Sequence, residues 1–118
     1  MYEKGNGVPQ NYTQAAEWYR KAAQQNNAGA QCNLAFLYAN GQGVTKNDRE
    51  AASWYSKSAE LGFARAQYLL GQCYEEGKGV SKDKKLARHW YEKAAAQNYE
   101  KAKEALTKLT SFFGKLFG

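Results

Sequence analysis

Apolar positions in the middle of the chain fall on two helical stripes with a polar turn between them. In "AGAQCNLAFLYAN", residues 28–40, Ala30, Leu34, Leu37 and Tyr38 share one side of a helix. In "DREAASWYSKSAEL", residues 48–61, Ala51, Tyr55 and Ser58 or Ala59 share another. The pattern predicts a helix pair, helix A followed by helix B. The small residues of helix B allow close approach, and the aromatics fill the space between successive units.

The turn between the stripes carries the glycine pair of "YANGQGV", residues 38–44. A dinucleotide-type phosphate loop needs a third glycine and a preceding strand. Here the third glycine is absent and a helix precedes, so Gly41 is expected to end helix A at positive φ. Asn47 is placed to cap helix B, with Glu50 three residues on as in a capping box. Asn11 with Gln14 is expected to repeat that cap, as is Asp83, although Leu86 stands in its acid position.

The same marks recur every 36 residues: Gly5, Gly41 and Gly77; Gly7, Gly43 and Gly79; Val8, Val44 and Val80. Trp18, Trp54 and Trp90, each followed by tyrosine, keep the period, as do Ala30, Ala66 and Ala102, and Leu34, Leu70 and Leu106. A fixed period of this length is the signature of a solenoid. The expected organisation is one repeat domain: an incomplete first repeat at 1–26, repeats at 27–62 and 63–98, and a C-terminal capping helix at 99–118.

Charge changes the picture at one end. Residues 1–77 carry seven Lys/Arg and seven Asp/Glu, whereas residues 78–118 carry ten and four and so hold the whole net +6. The basic residues are interleaved with acids, which favours a solvated cap over an acidic-partner site. No recognised nucleic-acid module is present, so no nucleic acid is expected. No apolar run approaches a bilayer span and no secretory signal is visible, so the chain is expected to be soluble, its compartment unknown. In the last helix Ala102, Leu106, Leu109, Phe113 and Leu116 form a stripe. A cap over the last helix B is expected, and membrane contact through Lys101, Lys103, Lys108 and Lys115 is not. Phe112 and Phe117 widen the apolar face.

Chemistry is sparse. Cys32 and Cys73 lack zinc spacing and are expected to be free thiols. His89 is expected to face solvent. Ser81 and Lys84 spell S-x-x-K, but the companion motifs of penicillin-recognising enzymes are missing. Neither an enzyme nor a cofactor or metal is expected. Asn11-Tyr12-Thr13 fits a glycosylation pattern but opens a helix.

The segments "LAFLYANGQGVTKNDREAASWYSKSA" and "LLGQCYEEGKGVSKDKKLARHWYEKAA" resemble the Sel1-like repeat (SLR) family, relatives of tetratricopeptide repeats. Ala35 stands where that family favours glycine, while Gly71 conforms. The resemblance implies an all-α fold: a short right-handed α-solenoid of antiparallel helix pairs, with the A helices lining a concave face. It also implies an adaptor that binds a protein or peptide.

Helix geometry then gives a candidate groove opposite the packed stripe: Gly29, Cys32, Phe36 and Asn40 in one unit, Arg65, Tyr68, Gln72 and Glu76 in the next, and Lys101, Glu104 and Lys108 in the cap. Phe36 and Tyr68 are the expected apolar anchors, with Arg65 and Gln72 as hydrogen-bonding groups. The alternative is a structural role, a homodimer through the N-terminal end, where helix B (Ala15, Trp18, Tyr19, Ala22, Ala23) lacks most of its helix A.

Overall fold

The computed structural model describes residues 8–117, and side chains over 11–109. Six helices follow one another: α1 (Val8–Gln24), α2 (Ala28–Asn40), α3 (Asp48–Glu60), α4 (Ala64–Glu76), α5 (Lys84–Ala95) and α6 (Glu100–Phe117). No strand occurs among the described residues. Each helix packs chiefly on the next one in sequence, the arrangement of a solenoid. The radius of gyration is 15.5 Å and the extents are 52 × 27 × 26 Å. A compact chain of this length would have a radius of about 13.5 Å, so the fold is an elongated all-α stack.

The glycine pairs act in two ways. Gly41 and Gly77 sit at φ 64° and 71° and close α2 and α4, their N–H groups donating to the carbonyls of Leu37 and Cys73. The second glycine of each pair joins repeats. A Cβ on Gly43 would lie 2.3 Å from the Tyr12 carbonyl oxygen, and one on Gly79 would lie 2.1 Å from that of Asp48. The loop after each helix A thus presses on the backbone that opens the preceding helix B.

The starts of α3 and α5 follow the capping chemistry, but the capping box expected at Asn47 is not closed: Glu50 accepts from Trp54 Nε1, and the Asn47 N–H donates to the Tyr38 carbonyl. Asn47 Oδ1 accepts from the Glu50 N–H, and Asp83 Oδ1 accepts from the N–H groups of Lys85 and Leu86. One expected cap is corrected: α1 begins at Val8, so Asn11 lies inside the helix. Pro9 in its first turn costs no hydrogen bond, because the leading N–H groups of a helix have no intrahelical partner.

A second periodic position links helix B to the next helix A. Asn26, Gly62 and Asn98 all take positive φ, at 66°, 93° and 65°. Asparagine tolerates this region better than other side chains.

Three buried clusters run along the stack. Leu34 and Leu37 meet Ala16 and Ala23, Tyr55 and Leu70 meet Cys32 and Ala66, and Tyr91 meets Ala87 and Leu109. Ala102 and Leu109 seat α6 against the last unit. The expectations placed on Phe112, Phe113, Lys115, Leu116 and Phe117 fall outside the described side chains, and those on Gly5 and Gly7 outside the described residues.

Candidate functional site

A groove of about 180 Å³ opens between α2 and α4 over α3. Phe36, Ala39 and Asn40 form one wall, Leu69, Gln72, Cys73 and Glu76 the other, with Asp48, Ala51 and Tyr55 from α3 and Lys78 completing it. It therefore gathers Phe36, Asn40, Gln72 and Glu76 from the sequence-derived set. Phe36 is 40% exposed, although it is a large apolar residue.

The other members of that set lie elsewhere. Cys32 is corrected: it has no exposed surface and belongs to the core with Ala35 and Tyr55. Helix α2 packs on both α1 and α3, so its buried face is wider than a single stripe. The Arg65 guanidinium lies 5.5 Å from the Phe36 ring centroid and donates to Asn33 Oδ1 at 3.1 Å. Tyr68 packs beside Tyr91 and Tyr99, with ring centroids 5.8 and 5.4 Å apart. Its hydroxyl accepts from Gln72 Nε2 at 2.9 Å. Gly29 is half-buried, whereas Lys101, Glu104 and Lys108 are exposed on α6.

The repeat register shows why the groove has a polar floor. Tyr55 and Tyr91 are equivalent, both from a helix B and both buried. Tyr91 donates its hydroxyl to Glu75 Oε1. The position equivalent to Glu75 in the preceding repeat is Ala39, which offers no acceptor. The Tyr55 hydroxyl makes no hydrogen bond to any described residue. Nor is it among the fully enclosed unpartnered atoms, the one such described case being Gln31 Oε1. Its oxygen therefore reaches the groove. A second difference adds to this. A Cβ on Gly71 would stand 2.6 Å from the Tyr91 ring, yet Ala35, at the same repeat position, carries that Cβ facing Tyr55. Both rings are buried, but the space that Gly71 leaves for Tyr91 is taken at the equivalent position by the Ala35 side chain.

Electrostatics in the groove follows from burial and from the nearby carboxylates. Burial pushes the Cys73 thiol up to about 11, with Asp48 and Glu76 adding and Lys78 opposing. Burial also raises Cys32 to about 11, opposed by Arg65. Tyr55 is raised chiefly by burial. Both cysteines are free. Among the described residues no His/Cys/Asp/Glu cluster could hold a metal ion, and no helix is long and apolar enough to cross a membrane. His89 is exposed, its ring edge-on to Trp90.

The family model described as the Sel1 repeat matches residues 1–27, 28–63 and 64–103. The chain belongs to the Sel1 repeat family. Among solved structures, a Sel1 repeat protein from Oxalobacter formigenes is 50% identical, with a TM-score of 0.76 over 78% of this chain and 69% of that one. A protective antigen of uropathogenic Escherichia coli strains displaying an SLR fold is 43% identical, with a TM-score of 0.78 over 83% of this chain and 21% of its own. Helicobacter pylori cysteine rich protein B is 34% identical, with a TM-score of 0.74 over 77% and 68%. No curated protein matches the chain. Sel1 repeats are generally protein–protein interaction modules.

Proposed function

We propose that this Sel1 repeat chain is a non-enzymatic adaptor that holds an extended peptide or protein segment in the groove between α2 and α4. The observation that carries the reading is Phe36, a large aromatic left 40% exposed at the groove wall. Exposed aromatics beside a concave surface commonly supply much of the binding energy of an interface. At about 180 Å³ the groove is smaller than the ~300 Å³ at which small-molecule sites begin, which favours side chains of a partner over a cofactor.

Peptides selected from a random display library against the immobilised chain provide the test. Their affinity should fall by about 2 kcal/mol in Phe36→Ala/Gln72→Ala, with the helical circular dichroism unchanged. Undiminished affinity in that variant contradicts the groove. Tyr68 is unsuited to this test because it packs within the last unit.

A second reading, self-association through α1, rests on Trp18, which is 70% exposed. Its counterparts Trp54 and Trp90 are packed against the second core cluster. Light scattering after gel filtration decides it: one monomer mass across a hundredfold concentration range excludes self-association.

A further inference from the structure

Most polar groups around the α2/α4 groove accept hydrogen bonds. Asn40 uses its side-chain N–H to reach the Phe36 carbonyl at 2.9 Å, and Gln72 uses its own to reach the Tyr68 hydroxyl. Each amide therefore keeps its oxygen, together with one N–H, unpaired among the described residues. Asp48 and Glu76 add two carboxylates, against the single ammonium of Lys78. Lys78 stands 3.9 Å from Glu76, and Asp48 is engaged by Lys46 at 2.9 Å from outside the walls. Both pairs are exposed, and such pairs hold weakly. The floor is the Tyr55 hydroxyl, on a residue 3% exposed that lines the groove without a partner among the described residues. Ala39 replaces the acceptor that Glu75 gives Tyr91, which leaves both the proton and the lone pairs of the Tyr55 hydroxyl uncommitted among the described residues, the lone pairs being what a donor ligand can use.

A ligand for this niche needs several donors, positive charge and a flat or narrow shape. A guanidinium supplies five N–H donors in a plane and no acceptor. The chain already shows that Phe36 receives one, because Arg65 lies over its ring while the residue stays 40% exposed. Arg65 itself is held by Phe36 and Asn33 and is not among the groove walls. The local field agrees, since Asp48 and Glu76 outweigh Lys78 at Cys73. This negative niche sits on a chain of net charge +6.

We infer that the niche formed by Tyr55, Asn40, Gln72, Asp48 and Glu76 receives an arginine side chain of the bound partner segment. The inference rests on the groove reading above and narrows it to one recognised residue. The guanidinium donates to the Asp48 and Glu76 carboxylates and to the amide oxygens, and the Tyr55 hydroxyl oxygen accepts at the floor. The aliphatic stem lies against Phe36 and Leu69.

The test uses acetylated, amidated pentapeptides of alanine with arginine, citrulline or glutamate at the centre, titrated into the ¹⁵N-labelled full chain. Citrulline keeps the shape of arginine and removes its charge. The arginine peptide should shift the amide resonances of Phe36, Asn40, Gln72 and Glu76, and bind at least fivefold more tightly than the other two. Asp48→Asn/Glu76→Gln should abolish that preference without lowering the melting temperature. Equal binding of citrulline, preference for glutamate, or arginine-dependent shifts confined to other surfaces would overturn the inference. If no arginine preference appears while display-selected peptides still depend on Phe36 and Gln72, the arginine niche falls and the groove stands. If selected peptides ignore Phe36 and Gln72, the groove itself falls.

Discussion

Tyr55 and Tyr91 occupy the same repeat position and differ in what meets the hydroxyl. Removing a partnered hydroxyl loses a bond to a carboxylate, whereas removing an unpartnered one loses none. Tyr91→Phe should therefore destabilise the chain by about 1.5 kcal/mol, and Tyr55→Phe should be neutral or stabilising, as read from urea denaturation. Equal losses would contradict the assignment of the orphan hydroxyl to Tyr55. The cysteines give a pH dependence. Burial raises both thiols from 9.0 to about 11 in the folded chain. A raised folded pKa contributes stability that is complete below 9 and lost as pH climbs to 11. Urea midpoints should fall over that window, and alkylation of the native thiols at pH 8 should be slower than that of the unfolded chain. The Cys32→Ala/Cys73→Ala variant should show a smaller fall.

Helices A and B were legible because the second and third repeats state their apolar stripe, their terminating glycine and their helix B cap in local sequence. Asn47 and Asp83 cap where side-chain chemistry says they should. Asn11 does not, because α1 runs a turn further back through Pro9. Three features escaped because they belong to contacts between elements. Cys32 lies opposite the stripe yet is buried, since α2 is packed from two sides. The positive-φ position held by Asn26, Gly62 and Asn98 is chemically mixed and so hid within the period. The orphan hydroxyl depends on a pair of differences, Ala39 against Glu75 and Ala35 against Gly71. Both are visible in the aligned repeats once the tyrosines are known to face those positions. The second glycine of each pair gives a prediction at this scale. Gly79→Ala places a Cβ 2.1 Å from the Asp48 carbonyl oxygen, whereas Gly62→Ala meets nothing within 4 Å. Both sit at positive φ, so the difference isolates the contact between repeats. Gly79→Ala should cost at least about 2 kcal/mol more than Gly62→Ala in thermal or urea unfolding. Similar costs would show that the loop gives way without effort.

The whole molecule is a stack whose stability comes from neighbour-to-neighbour burial and whose proposed function rests on the groove between α2 and α4. The departures of the second repeat from the third, at positions 35 and 39, converge on that groove. The central claim is that a partner segment lies there. The most direct measurement is chemical-shift mapping of a display-selected peptide on the ¹⁵N-labelled chain. Perturbations clustered on Phe36, Asn40, Gln72 and Glu76 are the predicted result. Perturbations confined to α1 around Trp18, or to the opposite side of α3 around Ser53 and Ser56, would contradict it.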